Sequence, residues 1–222
     1  VDGEIIGSRL VVDAEGARGR VLARSGIDTG QRGVIMGFNV DLMGVDVEPD
    51  MVEVYFGEEL AKGFFAWMVP LGEEKARCGL GTINPGGAEA LMRFVKKRFN
   101  LGDVPPVRGG LICTGGPVKR TVYPGIVLAG DVAGQVKPTA GGGVVMGGLC
   151  SLLAGEAASR VLGDGMGALD WYEAEWRRLY GGELVSMLRF REMLNGLSDD
   201  RLNRIFDAVI EEQLEPRLME LV

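Results

Sequence analysis

The chemically most pointed feature of the sequence is one carboxylate set among glycines. Gly130-Asp131-Val132-Ala133-Gly134 is followed closely by Lys137-Pro138-Thr139-Ala140-Gly141-Gly142-Gly143. The run sits between a strand-like apolar stretch at 126–129 and a helix-like apolar stretch at 144–162. Gly130 lets a strand end turn tightly. Asp131 then stands at the carboxyl end of that strand, where open α/β sheets bind ligands and a carboxylate can accept from a sugar-type hydroxyl. Gly141, Gly142 and Gly143 carry no Cβ, so a flat ring can approach their amides closely. The free N–H groups and positive end of the following helix, which Val144 opens, favour developing negative charge. Spacing alone leaves two readings open, a plain glycine-rich turn and a ligand cradle.

The full run resembles the second flavin-binding motif of the geranylgeranyl reductase family, within the larger group of FAD enzymes shaped like p-hydroxybenzoate hydroxylase. In that family a GDAAG-like segment precedes a Lys-Pro-Thr-x-Gly-Gly-Gly-like segment. The resemblance implies FAD as cofactor, with Asp131 on its sugar chain. It places the amides of Gly141, Gly142, Gly143 and Val144 at the flavin edge that becomes anionic on reduction. Gly130, Gly134 and Pro138 complete the cofactor-binding set.

The elements that must position this run are of two kinds. Between residues 33 and 114 short alternating runs separated by turn residues predict an antiparallel sheet, interrupted by one helix at 87–99. Within it, Phe65, Trp67 and Val69 fall on one side of a strand. That row suits either an ordinary sheet core or a slot for an elongated apolar molecule. The segment Phe65-Ala66-Trp67-Met68-Val69-Pro70-Leu71-Gly72 also resembles the reductase family's Tyr-x-Trp-x-Phe-Pro-x-Gly motif. Trp67, Pro70 and Gly72 match, while Phe65 replaces the tyrosine and Val69 the phenylalanine. The resemblance implies that Phe65, Trp67, Pro70 and Gly72 line a prenyl-binding tunnel. Phe65 keeps the packing role without the hydroxyl.

Bulk composition narrows the function classes. The 222 residues carry a net charge of −7, which argues against nucleic acid as a partner. There is no histidine, so His-based triads and His metal sites are excluded. Cys78, Cys113 and Cys150 form no CxxC pair and read as buried apolar residues of a protein in a reducing cytoplasm. No apolar run reaches the length of a membrane span uninterrupted. The stretch at 144–162 is broken by Gly147, Gly148, Ser151, Gly155, Glu156 and Ser159, so it reads as a buried helix.

Residues 8–26 predict a short strand at Leu10-Val11-Val12, a loop, and a helix from about Arg18. This stretch resembles the family's Ala-Asp-Gly-x-x-Ser-x-Val-Arg segment. Gly16 and Val21 agree, whereas Glu15 replaces Asp and Gly19 replaces Ser. No GxGxxG turn followed by an acidic residue is present. The chain therefore maps onto the later part of the family's length, and on its own it is expected to bind FAD weakly or not at all. The same reading leaves three alternatives: a C-terminal fragment, a truncated piece of a longer chain, or a split gene product whose partner carries the N-terminal half.

The expected fold class is α/β (α+β): a partial Rossmann-like FAD-binding domain without the GxGxxG unit, an antiparallel-sheet substrate domain, and C-terminal helices. The expected division is 1–27 and 116–165 for the FAD-binding segments, 28–115 for the substrate domain and 166–222 for the helical tail. In the tail, Gly181-Gly182 are expected to kink or break an amphipathic helix over 169–194. The Ser198 side chain is expected to cap a last helix that packs through Leu202, Ile205, Phe206, Val209 and Ile210.

The family resemblance implies an FAD-dependent oxidoreductase that saturates double bonds of geranylgeranyl chains. Its substrate is a prenylated lipid or geranylgeranyl diphosphate and its reductant an external electron donor. The cysteine usage points to the cytoplasm, and the amphipathic helical tail suits either plain scaffolding or a peripheral membrane contact. Two other readings stand beside it. One keeps the fold and changes the reaction to a flavoprotein monooxygenase or quinone-linked dehydrogenase. The other is a non-catalytic lipid-binding piece that needs a partner chain. No catalytic side chain and no metal site is assigned from the sequence.

Overall fold

The computed structural model describes residues 5–31 and 33–211. In chain order the elements are β1 (Val11–Asp13), a 3₁₀ turn (Gly16–Arg18), α1 (Arg20–Arg24), β2 (Val34–Met43), β3 (Glu53–Tyr55) and α2 (Glu58–Ala61). Then follow β4 (Ala66–Gly72), β5 (Lys75–Thr82), α3 (Gly87–Phe99), β6 (Arg108–Cys113), β7 (Val122–Tyr123) and β8 (Ile126–Leu128). A second 3₁₀ turn (Gly130–Ala133) precedes α4 (Val144–Asp164), α5 (Ala168–Trp176), a π-helical turn (Arg177–Gly181), α6 (Gly182–Asn195) and α7 (Asp199–Glu211). The described residues form two compact units, one from within 1–35 and 111–191, the other from within 36–110 and 192–222. The tail expected as one segment over 166–222 is thus divided at Arg191.

The first unit is built on a small sheet of order β1-β8-β7. β1 and β8 run parallel, with Val11 opposite Ile126, Val12 opposite Val127 and Asp13 opposite Leu128. Val127 and Ala129 join Met146, Cys150, Ala154 and Ala157 of α4 in one buried cluster. Leu169, Tyr172 and Trp176 of α5 complete it. Small residues on the inner face of α4 let it lie close over the sheet. By length and composition α4 is also the one helix among the described residues apolar enough to cross a membrane. The glycines and serines that were expected to disqualify it lower its hydropathy too little, because valine, leucine and alanine fill the rest.

The second unit carries the antiparallel sheet, of order β3-β4-β5-β2-β6. Val40, Leu42, Ala66, Met68, Ala76, Cys78 and Leu80 cluster with Leu91 and Val95 of α3. The side chains that alternate with these, among them Trp67 and Arg77, lie on the other face.

Three local expectations are corrected. Arg18 does not start a helix: residues 16–18 form a 3₁₀ turn, and α1 begins at Arg20, where the Glu15 carboxylate accepts from the amides of Arg20 and Val21 at 2.6 Å each. Gly181-Gly182 do not break the tail helix, because a π turn absorbs the irregularity and helix continues into α6. At the head of α7 it is the Ser198 carbonyl that accepts from Arg201 and Leu202. Of the α7 face, Ile205, Phe206 and Ile210 are exposed, and only Leu202 and Val209 are partly covered. The expected end of that helix at residue 214 lies outside the described residues.

Candidate cofactor cradle and aromatic face

Two acidic residues stand at the carboxyl ends of the parallel pair β1–β8, Asp13 on β1 and Asp131 just after β8. Asp13 closes β1, and its carbonyl accepts from the Ala129 amide at 3.0 Å, which joins the two strand ends. Asp131 follows β8 in the 3₁₀ turn. Burial raises the pKa of both side chains above the usual carboxylate range. Asp13 Oδ1 accepts from the Glu15 amide, whereas its buried Oδ2 has no partner.

The segment from 130 to 143 is a bolted loop with one open side. Gly134 has φ +66° and meets the Gly116 carbonyl so closely that a Cβ would come within 2.0 Å of it. It is therefore a structural glycine that holds the crossover loop against the turn. Gln135 is fully buried, and its Oε1 accepts from the Gly130 amide at 2.8 Å. Its Nε2 donates to the Tyr172 hydroxyl at 2.9 Å, and that hydroxyl donates to the Leu128 carbonyl at 2.7 Å. Gln31 donates to the Asp131 carbonyl at 2.8 Å. The buried Arg191 reaches the Pro138 carbonyl at 3.4 Å. On the crossover loop, Glu173 accepts from both the amide and the hydroxyl of Thr121. Arg177 donates to the carbonyls of Val118 and Lys119, so Lys119 takes part through its backbone.

The open side is the start of α4. Gly143 precedes the helix, and no side chain caps it. The first intrahelical bond runs from the Gly147 amide to the Gly143 carbonyl at 2.8 Å, so the amides of the first turn, from Val144, have no partner within the helix. A Cβ on Gly143 would come within 2.6 Å of Asp131 Oδ1. The carboxylate and the helix mouth therefore occupy one place. Gly141 differs from expectation: its amide donates to the Lys137 carbonyl at 2.8 Å and is spent inside the loop. Val144, at 92% exposure, and Gly142 lie on the surface.

These residues fit a group with a hydroxylated chain and an anion-forming edge. Asp131 is a hydrogen-bond acceptor held partly out of water, Gly143 supplies bare backbone where a side chain would collide, and the helix mouth supplies donors and positive potential. Gly130 and Pro138 are tied through their backbones to Gln135 and Arg191, and Gly134 packs on Gly116, so these three shape the loop. Arg18 and Arg20 are exposed.

In the second unit, Phe65, Trp67 and Val69 lie on the face of β4 opposite the core, since Ala66 and Met68 are the fully buried residues. The row is therefore not the sheet core. Trp67 lies flat across Gly79 of β5, where a Cβ would fall 2.4 Å from the indole. Phe65 stacks on Phe64 with ring centroids 4.1 Å apart and meets Trp67 edge-on at 5.8 Å. Phe56 extends the aromatic line, 6.0 Å from Phe65. Pro70 and Gly72 flank a bulge at the end of β4, and Gly72 has φ +127°, so their role is to shape the hairpin beside this face.

Sequence reading missed Gln135, Tyr172, Gln31 and Arg191. Gln135 carried a usable signal, an amide between the two glycine motifs in an otherwise apolar neighbourhood. The others are partners from 37 to 100 residues away, with no local mark.

No protein-family model matches the chain. It is 34% identical over 216 residues to digeranylgeranylglycerophospholipid reductase 2 of Methanothermobacter thermautotrophicus, covering 90% of this chain and 54% of that protein. It is 34% identical over 226 residues to the digeranylgeranylglycerophospholipid reductase of Methanothrix thermoacetophila, covering 96% and 57%. The chain thus spans about half the length of the curated relatives it matches, and it matches their C-terminal part. Among solved structures, a geranylgeranyl bacteriochlorophyll reductase-like protein from Thermoplasma acidophilum superposes with a TM-score of 0.82 at 22% identity, over 90% of this chain and 54% of that one. A probable FAD-dependent monooxygenase from Pseudomonas aeruginosa superposes with a TM-score of 0.62 at 20% identity, over 93% and 61%. At these identities the likeness is one of fold.

Proposed function

The chain matches the C-terminal part of the geranylgeranyl reductase family over nearly its whole length, and on that premise we propose that it supplies half of the flavin cradle and the lipid-facing sheet of an FAD-dependent reductase of geranylgeranyl lipids. The observation that carries the reading is the Asp131 carboxylate lodged against Gly143 at the uncapped mouth of α4. Bound there, FAD would supply the hydride chemistry by which an isolated alkene is saturated, with an external electron donor restoring it.

The residues of this chain have separable tasks. Asp131 accepts from a hydroxyl of the cofactor's sugar chain, and that bond relieves the burial that raises its pKa. The first-turn amides of α4, beside that carboxylate, offer donors and positive potential to negative charge on the ligand. Gln135 and Tyr172 fix the loop so that these groups need not reorganise when the ligand arrives. Phe65 and Trp67 present an apolar wall that excludes water from a prenyl chain. A lipid substrate brings such an enzyme to a membrane surface. The digeranylgeranylglycerophospholipid reductase names of the relatives favour prenyl reduction over the monooxygenase reading.

The test combines the 222-residue chain with the N-terminal part of the Methanothermobacter relative, FAD, a chemical reductant and a digeranylgeranyl phospholipid. Mass spectrometry of the lipid should show gains in pairs of hydrogens, one pair per double bond. Oxygen incorporation would favour the monooxygenase reading instead. Flavin bound with an unchanged lipid would overturn the reductase assignment.

A further inference from the structure

The face of the antiparallel sheet that carries Trp67 changes character along its strands. Its side chains fall into rows set by the strand register, roughly 7 Å apart at two residues per row. One row crosses β3, β4, β5 and β2 as Val54, Trp67, Gly79 and Asn39. The next row towards the β4–β5 hairpin is Val69, Arg77 and Asp41. On the other side of the Trp67 row stands Phe65. From it an aromatic line continues through Phe56 to Phe206 of α7, 6.0 Å at each step. One direction along the face is thus aromatic and the other charged.

The charged end holds more cation than its one acid can use. Arg77 donates through Nε and Nη2 to the two Asp41 oxygens at 2.7 and 2.9 Å, which leaves Nη1 for another acceptor. Arg108 stands on the neighbouring strand β6. A Cβ on Gly109 would meet Phe38, which packs on the core, so by alternation Arg108 takes the same face as Arg77. Hydrogen bonds from Arg77, with the charge of Arg108 behind them, hold the Asp41 carboxyl below its usual range. Among the described residues Arg108 itself makes no hydrogen bond or ion pair.

Asn39 lies between the two ends. A Cβ on Gly79 would come within 2.5 Å of Asn39 Oδ1 and within 2.4 Å of the Trp67 indole. The amide and the indole therefore share the space above one glycine, a bare stretch of strand of the kind that admits a closely bound ligand. The Asn39 side chain is partly covered and has no hydrogen-bond partner among the described residues. A carboxamide in that state, beside an indole, suits a ligand that is apolar in one direction and carries oxygen in the other.

We propose that Arg77, Arg108 and Asn39 seat the phosphate end of a prenyl lipid, whose chain runs over Trp67 towards Phe65 and Phe56. The two guanidiniums take the phosphate oxygens, and the Asn39 amide donates to the oxygen that joins head group and chain. Asp41 aligns Arg77 on the face and competes with the phosphate for it. This assignment rests on the prenyl-facing role proposed for Phe65 and Trp67 and adds the direction in which the lipid lies.

The 222-residue chain is titrated by calorimetry with geranylgeranyl diphosphate, geranylgeraniol and inorganic diphosphate, the lipids kept below the concentrations at which they form micelles. The expected result is that geranylgeranyl diphosphate binds at least about tenfold more tightly than the alcohol and than inorganic diphosphate. Arg77→Gln combined with Arg108→Gln should erase the preference for the diphosphate lipid and leave geranylgeraniol binding unchanged. Asn39→Ala should weaken both lipids. Asp41→Asn should tighten geranylgeranyl diphosphate binding, a gain that no folding defect produces. Equal affinity for the two lipids, with both lost in Trp67→Ala, would overturn the phosphate seat and leave the prenyl face standing. Inorganic diphosphate binding as tightly as the lipid would make the arginines a site for free phosphate and overturn it too. So would an Asp41→Asn variant with no gain. Binding of neither lipid would sink the prenyl reading together with this one.

Discussion

Asp131 Oδ1 lies 2.6 Å from the point where a Cβ of Gly143 would stand. The acid in the turn after the strand and the glycine just ahead of the helix are thus fitted to each other, although they stand twelve positions apart in the chain. Gly143→Ala should force the carboxylate to rotate and cost about 1–3 kcal/mol by overpacking. Gly142→Ala, with open space around its Cβ position, should be nearly neutral. In an Asp131→Ala background the Gly143→Ala cost should largely vanish, a coupling that urea denaturation of the double-mutant cycle measures.

The same carboxylate sets a pH dependence. Burial raises the folded pKa of Asp131 above its ordinary value of 3.8, so the protonated form is favoured in the fold. Its contribution to stability is then fully present below the ordinary value and is lost as pH rises through the folded pKa. Asp131→Asn should therefore melt higher than wild type near neutrality, and the difference should shrink on acidification. A variant that melts lower than wild type at neutral pH would contradict this. A binding site that holds an unrelieved carboxylate is expected to trade stability in this way.

Asp131 and its glycines were legible in the sequence because their signature is local: an acid, a turn and a helix start within fourteen residues. The supports of that loop were not. Gln135 and Tyr172 lie 37 positions apart, and nothing near Tyr172 distinguishes it from any buried aromatic of an amphipathic helix. Alternation showed that Phe65 and Trp67 share a side of a strand. It could not say which side α3 would cover, and Met68 took the core position. In α7 the periodicity fixed a helix but not what lies over Ile205 and Phe206.

Tyr172→Phe removes the hydroxyl that serves both Gln135 and the Leu128 carbonyl, and leaves two buried polar groups without it. Stability should fall by about 1–3 kcal/mol. Denaturant titration that shows no change would contradict the network's role.

The three thiols should be silent in the native protein. Burial pushes Cys78 and Cys150 up to about 12 and Cys113 up to about 11, the last with help from the nearby charge of Asp131. Iodoacetamide at mildly alkaline pH should modify none of them before unfolding and all of them after. Rapid native labelling of Cys113 would mean that the loop around Asp131 opens.

The central claim is that Asp131 holds the cofactor, and flavin retention tests it most directly. The chain recombined with the N-terminal part of the Methanothermobacter relative is loaded with FAD, passed through gel filtration and read by absorbance. The account predicts stoichiometric flavin with wild type and at least about tenfold weaker retention with Asp131→Ala, the loss expected for a hydrogen bond to a charged group. Undiminished flavin in a folded Asp131→Ala complex would contradict it.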